Sequence, residues 1–284
     1  MKKFISRFPQ LGKFDIGYLI VLGIALIAIW PFISRASLPA ETDAELHIFR
    51  LHELTLLIQG GEIYPRWAPN FYHGYGYPIF NYYAPLSYYV GLFSTMWAPF
   101  DAVDGVKFVF VLGLLLAGIA TYGFVRDNWG RSAGLIATAV YLYAPYIQYV
   151  DPHARGVLAE SFSFGIFPLA LWALDRFQRT KSRWALVTAV PLISATIMTH
   201  NLMGLLFFGI LASWVAWGFV FKSDGQRNWQ PFMVLFLGLC GAAFFWIPVF
   251  LERDAVNLNT LLGEGDNFDF RTHFLSIRDL LASS

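Results

Sequence analysis

Long apolar runs alternate with short polar stretches along most of the chain. Runs near 15–34, 107–125, 133–150, 157–174, 184–200, 203–221 and 231–250 each approach the ~20 residues that a helix needs to cross the hydrocarbon core of a bilayer. They predict an all-α integral membrane protein with about seven transmembrane helices. An eighth run, APLSYYVGLFSTMWAPF at 84–100, is shorter, rich in Tyr and bounded by prolines and Asp101. The first run follows a basic start and so imitates a signal peptide. The segment after it, WPFISRASLPA, is bulky before it is small, which predicts an uncleaved first span.

Whether 84–100 crosses decides the topology, and Lys and Arg arbitrate, because cytoplasmic loops are enriched in them. Lys2, Lys3, Arg7, Lys13, Arg126, Arg131, Arg176, Arg179, Lys181, Arg183, Lys222 and Arg227 fall on one side if it does not cross, and split four against eight if it does. The segment is therefore expected as a re-entrant or interface-lying helix within a long first external loop, 35–106. The N-terminus is then cytoplasmic. The same arrangement gathers His47, His52, His73, His153, His200 and His273 on the external side, with Asp43, Asp151, Arg155 and Glu160. The expected organisation is a cytoplasmic tail, 1–14, a transmembrane domain, 15–250, and the start of an external C-terminal region, 251–284. The chain reads as the N-terminal portion of something longer.

Composition agrees with a bilayer. Hydrophobic residues make up 57% of the chain and charged residues 14%, where soluble domains carry about 25% charged. A net charge of +1 gives no case for nucleic acid. The single cysteine, Cys240, excludes an intrachain disulfide. The histidines are scattered, with no HExxH and no cysteine pair, which argues against zinc. No P-loop, dinucleotide fingerprint or serine elbow occurs. A metal requirement stays unknown, with Mg²⁺ or Mn²⁺ between a phosphate and Asp43 plus Asp151 or Glu160 as the candidate arrangement.

Four stretches carry candidate chemistry. Asp43, His47 and Arg50 stand at i, i+4 and i+7 and share a face if helical. Such a face can offer a carboxylate as general base while His47 or Arg50 holds a phosphate. The competing reading is an amphipathic helix in the interface, with Leu46, Phe49, Leu54 and Leu57 toward lipid. The block YPRWAPNFYHGYGYPIFNYYAPLSYY, 64–89, interleaves aromatics with Gly and Pro. Arg66, Trp67, Tyr75 and Tyr77 are its candidate substrate contacts, for sugar rings or an isoprenoid groove, against an ordinary aromatic belt. In DPHARGVLAE, 151–160, Asp151 and Arg155 are i, i+4, and Glu160 lies about a turn inside the next span. An acid there is costly and functional by default, unless Arg155 merely neutralises it. His200 and Asn201 sit at a helical hairpin, where they either satisfy freed backbone groups or face the same external cavity.

Together these residues resemble a family. An acid soon after the first span, then HxxR, GGEIYPRW, GYGYPIFNYYAPLSYY, DPHARGVLAE and THN look like bacterial multispanning proteins of the GT-C class of glycosyltransferases. The nearest match is the group of large membrane proteins labelled as related to 6-pyruvoyl-tetrahydropterin synthase. The resemblance implies a GT-C-like helical bundle in the bacterial inner membrane, with juxtamembrane helices in the first external loop. It implies transfer of a sugar from a polyprenyl-phosphate-linked donor, reached from the membrane lipid, to an acceptor on the external face. Carried over, Asp43 matches the first-loop catalytic base. Asp151, Arg155 and Glu160 match a second external loop that supports the phosphate, and His200 a polar position near it. The alternative is a non-catalytic membrane subunit, or a lipid- or glycan-binding scaffold that needs the aromatics but not the acids. A transporter predicts polar residues at the midplane of several helices, whereas these spans are nearly free of charge through their centres.

Overall fold

The computed structural model describes residues 15–38, 43–96, 100–221, 228–256, 274 and 276. The expected tail 1–14, Lys222, Arg227, His273, residues 97–99 of the eighth run and nearly all of 251–284 lie outside the described residues. Contacts divide the chain into a main unit, 1–245, and a second unit, 246–284. In the second, the described residues hold the end of one helix and a short 3₁₀ turn at Arg253–Ala255.

The main unit is all helix: α1 (Gly17–Ile33), α2 (Ala44–Gln59), α3 (Ile79–Tyr82), α4 (Leu86–Thr95), α5 (Ala102–Trp129) and α6 (Arg131–Leu142). A π-helical segment, Tyr146–Arg155, follows, and then α7 (Leu158–Thr180), α8 (Arg183–Thr199), α9 (Asn201–Val220), α10 (Gln230–Gly241) and α11 (Ala243–Leu251), whose residues from Trp246 onward belong to the second unit. Local chemistry sets several ends. Asp101 caps α5 by accepting from the Asp104 N–H at 3.0 Å, and Ser182 caps α8 by accepting from Trp184 at 3.2 Å. Gly130, at φ 95°, makes the reversal from α5 to α6 in backbone space that a side chain rarely adopts.

At the centre α5 and α7 run parallel and close. Gly113 meets Gly165 midway, Gly123 meets Trp172, and Asn128 donates to Asp175 at 3.1 Å near the far end. A Cβ on Gly165 would stand 2.4 Å from the Gly113 carbonyl oxygen. Small residues at such a crossing let backbones approach, which is where packing between apolar helices in a bilayer gains its energy. α1 lies antiparallel to α5, with Phe32 stacked on Phe110 at 5.0 Å at one end and Asp15 accepting from Tyr122 at 3.0 Å at the other. One core joins α1, α2, α4, α5, α6 and the first half of α7, and another joins the second half of α7 to α8, α9 and α10.

Among the described residues three helices, α5, α7 and α9, are long and apolar enough to cross a membrane, and the broken pair α10 and α11 makes a fourth if it is one span. α1 and α8 are apolar but shorter. The expected span at 133–150 is divided: α6 ends at Leu142, and the chain enters the π-helical segment at Tyr146. Pro145 explains the break, since it lacks a donor and keeps the preceding residue out of helical space. The eighth run forms α4, ten residues long, which at 1.5 Å per residue falls far short of the ~30 Å core.

Candidate functional site

α2 positions the first group of side chains. Leu51 and Leu54 are buried in the core while Leu46 and Phe49 are half exposed. The expected apolar stripe of Leu46, Phe49, Leu54 and Leu57 is thus corrected: Leu54 and Leu57 pack inward, because the helix leans on α4 and α5 rather than lying free in an interface. His47 and Arg50 follow this inward face. The Nδ1 of His47 lies 2.7 Å from the Tyr88 hydroxyl, and Arg50 donates to that same hydroxyl at 3.2 Å. The Arg50 guanidinium also sits 4.8 Å over the ring of Tyr83. Burial first, then the charge of Arg50, pushes the His47 pKa from 6.5 down to about 3, so this imidazole is neutral. Burial likewise pushes the Tyr88 hydroxyl well above its ordinary value.

The π-helical segment and α7 supply the second group. One nitrogen of Arg155, Nη1, donates to Asp151 at 3.0 Å and to Glu160 at 3.2 Å, and also to the Tyr146 hydroxyl. Tyr146 in turn donates to Glu160 at 2.7 Å. Ser161 donates to Asp151 at 2.7 Å. Gly156, at φ 69°, turns the chain between the two elements so that all five meet. Asp151 is 0% exposed. Burial, with the charge of Glu160 behind it, raises its pKa to about 7, against the opposing hydrogen bond from Ser161 and the charge of Arg155.

The two groups are joined by main chain. Asp43 donates its N–H to the carbonyl of Arg155 at 2.9 Å. Asp43 begins α2 but does not cap it with its side chain, so its carboxylate makes no hydrogen bond or ion pair among the described residues. His200 closes the site from the hairpin between α8 and α9. Its Nδ1 accepts from the Met203 N–H at 3.2 Å, and its ring lies 6.4 Å from Tyr83. Asn201 accepts from the Ala84 N–H at 2.9 Å and donates to the Tyr82 carbonyl at 2.7 Å, fixing the corner that carries Tyr83.

Asp43, His47, Arg50, Asp151, Arg155, Glu160 and His200 therefore gather at one end of the bundle. The aromatic block is divided. Arg66 donates to Asn81 at 2.5 Å, and Trp67 covers Gly76 beside a short bridge from Ala68 to Tyr77. Tyr75 is 86% exposed. Tyr77 lies in the electrostatic neighbourhood of Arg50. Tyr83, Tyr88 and Tyr146 are the members that spacing did not single out. Their partners lie on other elements, so nothing local in the sequence marks them. Among the described residues no group of three or more His, Cys, Asp or Glu is disposed to hold a metal. The cation that the fold gives Asp151 and Glu160 is Arg155.

At the opposite end of the bundle a second polar network forms. Asp15 pairs with Arg126 at 3.0 Å and Arg131 at 3.2 Å. Asp127 accepts from Trp172 at 2.9 Å, and Arg179 reaches both Asp175 and the carbonyl of Asp127. Asp15, Asp127 and Asp175 are each paired, as befits a structural tie.

The family described as 6-pyruvoyl-tetrahydropterin synthase related domain, membrane protein, matches residues 80–260. That range includes Tyr83, Tyr88, Asp151, Arg155, Glu160 and His200 and begins after Asp43, His47 and Arg50. A protein of Lactococcus lactis subsp. cremoris (strain MG1363), named only as an uncharacterized protein, is 20% identical over 265 residues, 90% of this chain and 42% of that protein. The chain thus spans about two fifths of the length of this relative. No solved structure matches it.

Proposed function

Because this chain belongs to the membrane-protein family related to 6-pyruvoyl-tetrahydropterin synthase, we propose that it is a GT-C-like transferase. It moves a sugar from a polyprenyl-phosphate-linked donor to an acceptor hydroxyl at the external face of the bacterial inner membrane. In this reading α1, the run 133–150 that begins with α6, and α8 complete seven crossings, with Asp151 and Arg155 just outside the third. The basic loops face the cytoplasm, and the site of Asp43 faces outward.

The observation that carries the reading is the contrast among the three acids. Asp151 and Glu160 are engaged by Arg155, Ser161 and Tyr146, whereas the Asp43 carboxylate beside them has no hydrogen bond or ion pair among the described residues. A free carboxylate next to a rigid polar cluster is what a general base requires. Asp43 takes the proton of the acceptor hydroxyl, and its oxygen attacks the anomeric carbon as the bond from that carbon to the phosphate oxygen breaks. The electron pair leaves with the phosphate, whose charge is met by Arg50. Most of the catalytic work is then positioning and electrostatics. The engaged acids hold Arg155 and the π-helical segment in place.

A scaffold that binds lipid or glycan without catalysis is the second reading. It is favoured by the exposure of Trp67 and Tyr75, which lie among the more exposed aromatics of the first loop. A panel of radiolabelled polyprenyl-phosphate sugars, offered to the protein in proteoliposomes with and without Mg²⁺, separates the two: turnover supports the transferase, and donor binding without turnover supports the scaffold.

A further inference from the structure

We propose that His47 and His200 are fixed as neutral imidazoles, each presenting an Nε2–H donor, and that with Arg50 they bind an anionic oxygen of the substrate without any change of protonation. The anion is a phosphate oxygen only on the transferase reading above; the fixed state of the rings stands on hydrogen bonds alone.

For His200 the argument is direct. A backbone N–H can only donate, so the Nδ1 that meets Met203 at 3.2 Å must be bare. A neutral ring with a bare Nδ1 carries its proton on Nε2; of the charged groups that face His200, Glu160 on α7 favours the protonated ring and Arg155 of the π-helical segment the neutral one.

For His47 the proton is fixed by a neighbour. A guanidinium can only donate, so the Tyr88 oxygen accepts from Arg50. Tyr88 is fully buried, and its own O–H needs an acceptor, because an unsatisfied buried donor is costly. The group at hand is the Nδ1 of His47 at 2.7 Å. The chain of donation therefore runs from Arg50 to Tyr88 to His47, and again the second proton sits on Nε2. Neither Nε2 has a protein partner among the described residues.

The charged surroundings favour the same state for His47. On its own helix it faces Arg50, with Asp43 a turn away. α4 brings Tyr88, the corner after α3 brings Tyr83 at 6.4 Å, and the α8–α9 hairpin brings His200, which acts on it electrostatically. On α5, Lys107 pairs with Asp104 at 3.8 Å and donates to the carbonyl of Arg35 at 2.7 Å. The two rings flank Tyr83 at the same 6.4 Å, with Arg50 over its face. Two neutral donors and one cation suit an anion that must be held and later released. A doubly protonated histidine would hold the leaving phosphate more tightly and make binding depend on pH.

Nitrogen NMR of isotope-labelled histidine, in nanodisc-embedded protein, tests this. His47 and His200 are expected to show a bare Nδ1 and a protonated Nε2, unchanged between about pH 8 and about pH 5. Tyr88→Phe is expected to release His47 alone, restoring titration or mixing its tautomers and leaving His200 as it was. Addition of farnesyl phosphate is expected to shift both Nε2–H resonances of the wild-type protein. Titration of either ring in the wild type, or a proton on either Nδ1, overturns the fixed state. Unmoved Nε2–H resonances at saturating farnesyl phosphate overturn the binding role. Neither result bears on turnover, so titrating rings in an active transferase refute this proposal and spare the function, and fixed rings in an inactive protein do the reverse.

Discussion

Asp43 and Arg155, far apart in sequence, are tied by a single main-chain hydrogen bond of 2.9 Å. Through it the start of α2 is registered against the π-helical segment. Asp43 thereby stands beside two buried carboxylates without sharing their guanidinium. The pair of engaged acids, the cation between them and the free acid next door form the arrangement on which the predictions below depend.

Arg155→Ala removes the donor that Asp151 and Glu160 share. Two nearly inaccessible carboxylates are then left with fewer partners, at a cost of about 1–3 kcal/mol. The guanidinium is itself 42% exposed, which keeps the loss below that of a fully buried pair. Reversible unfolding in mild detergent should show the drop. Arg155→Lys should recover part of the loss, because the three contacts all meet one nitrogen, Nη1, and an ammonium also carries three donors.

Asp151 links stability to pH. Its folded pKa is raised from 3.8 to about 7, so the folded state binds the proton more readily than the unfolded one. The contribution of this group is fully present below its unfolded value and is lost as pH rises through about 7. Between those values wild-type stability should fall with rising pH relative to Asp151→Asn. Unfolding midpoints measured across that range for both proteins check the sign.

Gly165→Ala drives a methyl group into the Gly113 carbonyl oxygen, 2.4 Å from the ideal Cβ. Backbone cannot swing aside as a side chain can, so overpacking should cost about 1–3 kcal/mol. Gly209→Ala, with nothing within 4 Å of its Cβ, should leave the melting temperature unchanged or slightly raised. The two variants, compared by thermal unfolding, test the central crossing of α5 and α7.

Asn201→Leu leaves the Ala84 N–H and the Tyr82 carbonyl without their side-chain partner. The corner carrying Tyr83 should loosen while the bundle stays folded. Hydrogen exchange at 82–86 should quicken, with exchange in α5 and α7 unaffected. Affinity for a polyprenyl-phosphate sugar should fall, since Tyr83 supports Arg50.

Hydropathy located the long helices α5, α7 and α9 within a few residues, because a twenty-residue apolar run has few alternatives to helix. The charge count withheld a crossing from 84–100, and α4 is indeed too short for one. The run at 133–150 is divided in the structure, α6 ending at Leu142 and the π-helical segment starting at Tyr146, because apolarity continues past Pro145 where the regular helix cannot. The Asp151–Arg155 pair was legible from its spacing, and so was the shared face of Asp43, His47 and Arg50. Tyr88 and Tyr146 were not, since each is defined by a hydrogen bond to another element. The clamp from Asn201 to Tyr82 and Ala84 joins segments with no local signal in common. The inward turn of Leu54 was hidden for a related reason: a helical stripe shows that one face is apolar, and only the neighbours decide whether it meets lipid or protein.

The most direct test of the central claim is transfer by Asp43→Asn. The amide keeps the shape of the side chain and the main-chain bond to Arg155 while removing the base. With a donor that the wild-type protein turns over in proteoliposomes, the account predicts unchanged donor affinity and turnover lowered by roughly 10²–10⁴-fold, the usual range for general-base catalysis. Wild-type turnover in the variant would contradict it.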